Sequence, residues 1–227
     1  MSVPPPQSSS VTLLPSPAAR IGALALFLAV LALYPILNRP WATVHSVALP
    51  LDSVIYVVPV FVVPYLFFFF PWAIALILWS ILRRPAVYER LIISMTIGLL
   101  ISYGVYVVFQ TVVVRQPIEG SDVFSTLLRW VYQSDARYNA FPSTHTVATV
   151  VLVATTWRVV HASTTRILVL LIAILILCAT LLTKQHNILD VAFGLIVGTI
   201  AFLVGDRVTR VRDSRATRQS QFQESQD

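Results

Sequence analysis

Long apolar stretches separated by short polar segments dominate the chain from residue 18 onward. A helix that crosses the hydrocarbon of a bilayer needs roughly 20 mostly apolar residues. Six stretches approach that length: residues 18–37, 57–82, 91–114, 145–160, 166–183 and 186–205. The pattern predicts an all-α fold, a polytopic membrane helical bundle with about six transmembrane helices.

The segments around these stretches predict three further features. Residues 1–17 are rich in Pro and Ser and carry no Lys or Arg, which indicates a disordered tail rather than a signal peptide. Prolines interrupt the second stretch, so we expect a kinked or broken helix there. Apolar side chains at helical spacing over 122–133 predict an amphipathic helix in the membrane interface, with Trp130 at headgroup depth. The membrane domain then covers 18–206, and a basic tail covers 207–227.

The composition supports this assignment. Hydrophobic residues make up 57% of the chain and charged residues only 11%, whereas about a quarter of a soluble domain is charged. Too few ionic side chains remain to cover a water-facing surface, which argues against soluble and disordered classes. The single cysteine, Cys178, excludes an internal disulfide framework and a cysteine-built zinc site.

The distribution of cations predicts the orientation. With six spans and the N-terminus in the cytoplasm, 11 of the 16 lysines and arginines fall on the cytoplasmic side. The positive-inside bias therefore places both termini in the cytoplasm. The arginine-rich tail is expected to contact anionic membrane lipids, and we expect no nucleic-acid partner.

Four ionisable residues lie at the extracytoplasmic ends of the last three spans: His145, Lys184, His186 and Asp190. Such groups are costly beside a membrane and by default indicate function. His186 and Asp190 are four residues apart, so on a helix they share one face, and the carboxylate can orient the imidazole as a nucleophile or base. A His–Asp pair that only ties two helices together is the structural alternative.

His145 closes the segment Phe-Pro-Ser-Thr-His, in which Ser143 or Thr144 is expected to cap a helix. The unpaired amides and positive dipole of a helix start can bind a phosphate, and a histidine there can protonate a departing oxygen. An ordinary capped helix is the alternative. The nearest extracytoplasmic cations are candidates for phosphate binding: Arg115, Arg137 and Lys184. A two-histidine, one-carboxylate metal site is a rival that these cations disfavour.

Two segments resemble a known family, residues 139–145 (Asn-Ala-Phe-Pro-Ser-Thr-His) and 183–190 (Thr-Lys-Gln-His-Asn-Ile-Leu-Asp). They are similar to the second and third signatures of the type 2 phosphatidic acid phosphatase superfamily. An upstream pattern of Asp52, Pro59, Pro64 and Tyr65 makes the chain most similar to the inositol phosphorylceramide synthase-like branch. The resemblance covers roughly residues 52–205.

The resemblance implies a helical bundle and a reaction that needs no metal or other cofactor. His186 would attack phosphorus to form a phosphohistidine, Asp190 would orient it, His145 would protonate the leaving group, and Ser143 would help to hold phosphate. The chain departs from the superfamily signatures at several positions. Val108 stands in place of a lysine, Gln116 separates Arg115 from proline, Ala179 and Thr180 replace a Ser-Arg pair, and Thr144 replaces a glycine. We expect Lys184 to substitute for one of the missing cations.

These observations predict an integral membrane phosphatase that acts on a lipid phosphate or pyrophosphate. A phosphotransferase that moves the phosphoryl headgroup to a lipid or inositol-type hydroxyl shares the first half-reaction and stays open. A proton-coupled transporter or flippase is more distant, because it needs ionisable groups through the membrane depth. An inactive structural subunit is also disfavoured, since all three proposed catalytic residues are present. The sequence does not indicate the oligomeric state.

Overall fold

The computed structural model describes Leu14 and residues 16–224, with side chains described as far as Arg210. The predicted disordered tail, residues 1–17, lies outside the described residues except at its end, where Ser16 caps a helix that starts at Pro17. Eight α-helices are present in the described part: α1 Pro17–Leu31, α2 Tyr34–Leu37, α3 Phe69–Arg83, α4 Pro85–Val108, α5 Val123–Ser134, α6 Thr144–Val159, α7 Ser163–Leu182 and α8 Ile188–Glu224.

Among the residues that the structure describes, five helical segments are long and apolar enough to cross a membrane: Pro17–Leu37, Pro59–Arg83, Pro85–Val108, Ser163–Leu182 and Ile188–Arg210. The remaining predicted span, residues 145–160, corresponds to α6, which has only 16 residues. At 1.5 Å per residue α6 is about 24 Å long, shorter than the roughly 30 Å of hydrocarbon. This helix packs against α3, α4, α7 and α8, so it lies inside the bundle. The fold is an all-α membrane bundle, with five spans that meet the length criterion.

The second apolar stretch is broken at its prolines, as predicted. A 3-10 turn at Pro59–Phe61 and a π-helical turn at Pro64–Phe68 precede the regular helix α3. Proline has no amide hydrogen to donate and its ring crowds the preceding turn, so the regular helix starts only after Pro64. Tyr65 in the irregular segment and Phe69 at the start of α3 pack against the site described below.

Two predicted boundaries were wrong. The third span was expected at 91–114 but runs over Pro85–Val108, because Pro85 suits a first helical turn. Residues 109–114 are extended instead, with isolated bridges that pair His45 with Thr111 and Val112 with Tyr138. The last span was expected to start at residue 186 and to end near 205. Helix α8 starts at Ile188, and its backbone stays helical to Glu224, through most of the predicted basic tail.

The helix predicted over residues 122–133 is present as α5, one residue from the expected bounds, and its place in the membrane interface stays a prediction. The carboxylate of Asp122 accepts hydrogen bonds from the amides of Phe124 and Ser125 and so caps its start. Leu128 is buried, whereas Trp130 is 56% exposed. The two faces of this helix therefore differ as an amphipathic helix requires.

Helices α6 and α8 approach each other through glycines. A β-carbon at Gly194 would lie 2.9 Å from the carbonyl oxygen of Ser143, and one at Gly198 would lie 2.9 Å from that of Val147. Both contacts are too short for a real side chain, so only glycine permits this spacing. The contact at Gly194 joins the start of α6 to the first turns of α8, where the predicted site residues lie.

The opposite end of the bundle is tied together by one carboxylate. Asp206 on α8 binds Arg158 with two hydrogen bonds of 2.6 and 2.9 Å. It also lies 2.7 Å from Nε of Arg90 and 2.9 Å from Nε of Arg210. Charge-assisted bonds of this kind link α4, α6 and α8 far from the two histidines of the predicted site.

Candidate active site

The start of α6 and the turn between α7 and α8 form one polar site. The amide of Ser143 donates to the main-chain oxygen of Asp190 at 3.0 Å, which joins the two elements directly. The rings of His145 and His186 are 6.0 Å apart between centroids. The structure thus brings together residues that are distant in sequence but were predicted to converge.

His186 lies in the turn before α8, not on the helix itself. Its Nδ1 is 3.1 Å from the main-chain oxygen of Ala140. Because a carbonyl oxygen only accepts, the contact assigns the proton to Nδ1 and leaves Nε2 with a free lone pair. The imidazole is therefore held in the tautomer that a nucleophile requires.

Asp190 orients His186 less directly than the sequence predicted. Its Oδ2 lies 3.6 Å from Nδ1 of His186, beyond hydrogen-bonding distance. The same oxygen accepts a 2.7 Å bond from the amide of Asn187, as the third residue of a helix does in a capping box. Asp190 thus supplies a nearby negative charge and fixes the turn, while the Ala140 carbonyl holds the ring. The sequence carries no signal for that carbonyl.

The turn that carries His186 has an unusual backbone. Lys184 adopts a left-handed conformation with φ 51°, which residues other than glycine and asparagine rarely adopt. Its amide donates to Leu181, and the amides of Gln185 and His186 both donate to the carbonyl of Thr180 at 3.1 Å. These bonds close the end of α7. Local strain of this kind persists where the surrounding contacts fix it, often at functional sites.

Asp52 is a site residue to which the sequence assigned no role of its own. It is 5% exposed, and its Oδ1 accepts a 2.9 Å bond from the amide of Ile188. Its main-chain oxygen accepts a 2.6 Å bond from Nζ of Lys184, and its Oδ2 accepts from the amide of Leu49. Asp52 therefore holds both ends of the turn around His186. The available signal in the sequence was an acidic residue close to an apolar stretch, in a chain that has few acidic residues.

We expect Asp52→Ala to lower kcat by about tenfold or more, because the His186 turn loses the hydrogen bond that supports it at Ile188. Lys184 also loses the negative charge of the neighbouring carboxylate. The matched control is Asp122→Ala, which removes an equivalent helix cap from α5. Both variants should lose about 1 kcal/mol of stability. Turnover and thermal unfolding of the two purified variants check this, and equal loss of turnover in both would contradict a specific role for Asp52.

His145 lies in the first turn of α6, which Ser143 caps by accepting from the amide of Thr146 at 3.2 Å. Its ring stacks on Tyr65 at 4.7 Å and packs against Phe69 at 4.8 Å. Its Nε2 is buried and has no hydrogen-bond partner among the described residues. Since leaving a buried polar atom unpaired is costly, a ligand atom at this position is expected.

Other buried polar atoms at this end also lack a partner within the described part of the chain: Thr146 Oγ1, Gln185 Nε2, Asn187 Nδ2 and Asp190 Oδ1. Most of these atoms can donate a hydrogen bond, and they belong to the same two segments as the histidines. Such a set of donors suits an anion with several oxygens, such as a phosphate.

The predicted cations around the His186 turn differ in their burial and in their hydrogen bonds. Nη1 of Arg115 donates to the main-chain oxygens of Tyr132 and Asp135, and Nη2 donates to Gln185 Oε1 at 2.6 Å. Burial lowers the pKa of this guanidinium, and the charge of Asp135 opposes that shift. Arg115 thus anchors residues 132–136 beside the site, and its predicted contact with phosphate stays a prediction.

Arg137 is exposed and borders a polar cavity of about 10 Å³, enough for one water molecule, that also touches His186 and Asp135. Asp135 was not predicted as a site residue. Its Oδ1 accepts bonds from the hydroxyl of Tyr34 at 3.0 Å and from Nδ2 of Asn38 at 2.7 Å. Burial raises the pKa of this carboxyl, opposed by the hydrogen bond from Tyr34 and the charge of Arg115.

The structure holds no donor set typical of a bound metal at the residues it describes. Among them, no group of three or more His, Cys, Asp or Glu side chains lies close enough to hold a metal ion. His145 and His186 are instead surrounded by aromatic rings, main-chain carbonyls and hydrogen-bond donors.

Comparison with known proteins bears on this site. No curated protein sequence matches the chain. The family model of the PAP2 superfamily matches residues 118–212. That range covers less than half of the chain, but it includes His145, His186 and Asp190. The superfamily match supports a phosphoric-ester hydrolase of the membrane.

A solved structure shares the fold. LpxE from Aquifex aeolicus matches with a TM-score of 0.52 and 16% sequence identity, over 78% of this chain and 94% of that chain. At this identity the likeness shows the membrane helical bundle alone. Neither comparison distinguishes the inositol phosphorylceramide synthase-like branch from the rest of the superfamily.

Proposed function

We propose that the protein is an integral membrane phosphatase that hydrolyses a lipid phosphate or pyrophosphate through a phosphohistidine on His186, without a metal. The observation that carries the proposal is the pair of imidazoles 6.0 Å apart. One of them has a basic Nε2, and the other has an unpaired Nε2 at a helix start. The match to the PAP2 superfamily supports the same assignment.

The reaction has two steps. In the first, Nε2 of His186 attacks phosphorus and the bond from phosphorus to the lipid oxygen breaks. His145, which the negative charge of the bound phosphate keeps protonated, gives its proton to that oxygen. In the second, His145 takes a proton from a water that attacks the phosphohistidine. The phosphorus–nitrogen bond then breaks, and inorganic phosphate leaves with His186 restored. Asp190 stabilises the positive charge that His186 carries between the steps.

The charges around the site favour a phosphate. The first turn of α6 presents amides and a positive dipole end toward the two histidines. Lys184 uses one of its three donors on the Asp52 carbonyl, so two remain for phosphate oxygens. Ser143, Thr144, Arg115 and Arg137 complete the proposed phosphate-binding set.

The proposed orientation puts this site on the extracytoplasmic face and both termini in the cytoplasm. The arginines that bind Asp206 lie at the other end of the bundle. That arrangement agrees with a cytoplasmic end rich in cations.

Lys184 gives the proposal a pH dependence. Burial lowers the pKa of its ammonium below the ordinary 10.5, and the charge of Asp52 opposes that shift. We expect KM to rise as the pH increases through this lowered pKa, because the neutral amine no longer attracts phosphate. In Lys184→Arg the charge persists, so the alkaline rise in KM should disappear.

Unfolding does not explain such a rise. Between the lowered pKa and 10.5 the unfolded chain binds more protons at Lys184 than the folded chain does. The free energy of unfolding that depends on Lys184 therefore increases as the pH rises through this range. Steady-state kinetics of both proteins between neutral and alkaline pH, beside thermal unfolding, check this. The same alkaline limb in Lys184→Arg would contradict the role of Lys184.

A phosphotransferase is the second candidate. Asp52 and Tyr65, which belong to the pattern of the inositol phosphorylceramide synthase-like branch, both contact the site. In this alternative a lipid or inositol-type hydroxyl replaces water in the second step, and the first step is unchanged.

The test is a panel of lipid phosphates and pyrophosphates given to purified protein with and without inositol. Phosphate release that inositol does not divert supports the phosphatase, and a phosphoinositol product supports the transferase. We expect EDTA to leave the rate within about twofold, because the proposed charge stabilisation comes from protein donors. Activity that is lost in EDTA and restored only by a divalent ion would contradict the metal-independent mechanism.

A further inference from the structure

An apolar groove opens on the surface of the bundle between α3 and α5. Its volume is about 580 Å³. One wall is formed by Leu66, Phe67, Phe70 and Ile74, and the other by Leu127 and Trp130 of α5. We call this surface the α3–α5 groove. Its volume is within the range of small-molecule sites in proteins.

The groove lies next to the candidate active site. Phe70 lines the groove and also meets the ring of His145 edge-on, with centroids 6.0 Å apart. Tyr65 and Phe69, which pack on the other faces of His145, belong to the same segment of chain. One end of the groove is therefore separated from the proton donor by the thickness of a single aromatic ring.

The lining favours hydrocarbon over a polar ligand. Among the wall residues only Trp130 carries a side-chain hydrogen-bond donor. An inositol-type acceptor or a second phosphate would lose its hydrogen bonds there. Phe67, Ile74 and Trp130 are each more than half exposed, so the groove is open along its side. A hydrocarbon chain can enter it sideways from the bilayer without contact with water.

We propose that the α3–α5 groove binds one hydrocarbon chain of the lipid whose phosphate lies between His145 and His186. The inference rests on the proposed function and specifies its substrate class: a phosphate ester whose ester oxygen is attached directly to a single long chain near His145. The chain would pass Phe70 and lie between Ile74 and Leu127, while the phosphate reaches the start of α6.

The direct test is photolabelling of the full-length His186→Ala protein, which binds substrate without turnover. The probe is a long-chain alkyl phosphate with a diazirine near the chain end, in nonionic detergent micelles. We expect labelled peptides from residues 66–74 and 127–130, with labelling reduced by unlabelled hexadecyl phosphate but not by hexadecanol. Equal labelling of the lipid-facing side of α7 would show micelle contact only and would overturn the proposal.

The kinetic test uses a matched pair on α3. Ile74 lines the groove, and Leu78, four residues further on, does not; their side chains are 56% and 53% exposed. We expect Ile74→Trp to lower the ratio of kcat/KM for hexadecyl phosphate to that for butyl phosphate by about tenfold, because the added ring displaces several methylenes. Leu127→Trp, from the opposite wall, should act in the same direction.

In Leu78→Trp the ratio should stay within about twofold of the wild-type ratio, since a single lipid-facing change alters little. An equal fall in Ile74→Trp and Leu78→Trp would overturn the groove assignment. The two proposals fail separately. If wild-type protein hydrolyses none of the lipid phosphates and pyrophosphates in the panel but the label maps to the groove, the phosphatase proposal fails. If turnover is normal and the label is spread evenly, the groove proposal fails.

Discussion

Replacing His186 with alanine should lower kcat by about 10⁴-fold or more, because the variant has no nucleophile to form the phosphoenzyme. Among the described residues the side chain makes one hydrogen bond, to the carbonyl of Ala140, so the bundle should stay folded. The measurement is turnover of a lipid phosphate, together with trapping of ³²P-labelled protein. In wild-type protein the label should be stable in alkali and released by acid, as a phosphohistidine is.

The control for this experiment is His161→Ala. His161 lies in the exposed loop between α6 and α7, at the other end of α6 from His145. It should leave both turnover and labelling unchanged. A His186→Ala protein that still accumulates the alkali-stable label would remove His186 from the nucleophile position.

The second large effect is expected for His145→Ala, and it should depend on the leaving group. General acid catalysis contributes typically 10²–10⁴-fold, so turnover of an alkyl phosphate should fall by about 10³-fold. A p-nitrophenolate leaves without a proton, so hydrolysis of p-nitrophenyl phosphate should fall by about tenfold at most. Parallel kinetics on the two substrates give the measurement.

The ratio of the two losses of turnover distinguishes a proton donor from a residue that only fills space. If His145 only fills the space between Tyr65 and Phe69, its removal should lower both rates alike. Equal losses on both substrates would therefore contradict a role as proton donor. His161→Ala again serves as the control, with both rates unchanged.

The sequence predicted most of the bundle because the apolar length of a span is a strong local signal. It was less accurate where local and tertiary preferences disagree. Residues 109–114 include Phe109 and three valines that extend the apolar run, but the β-branched side chains favour an extended segment that pairs with residues 45 and 138. Helix α6 was predicted over residues 145–160 and is present one residue earlier, although its 16 residues do not reach the length of a full span.

The site was predictable where one short segment carries the chemistry. His145 follows its own cap, and His186 and Asp190 are four residues apart, so both groups can be found locally. The partners that orient them come from far away: Ala140 is 46 residues from His186, and Asp52 is 136 residues from Ile188. Contacts of that separation follow from how the helices pack, which no local pattern encodes. The substrate roles of Arg115 and Arg137 stay predictions for the same reason.

The close contact between Gly194 and Ser143 limits the distance between α6, which carries His145, and α8, which follows the turn with His186. Any β-carbon at residue 194 would meet the Ser143 oxygen at 2.9 Å and force α8 away from α6. The side chain of Thr146 would lie as close, at 2.7 Å, so the packing of α8 on the first turn of α6 depends on a glycine at this position. Substitutions on the exposed face of α8, away from this contact, should therefore leave the spacing of α6 and α8 unchanged.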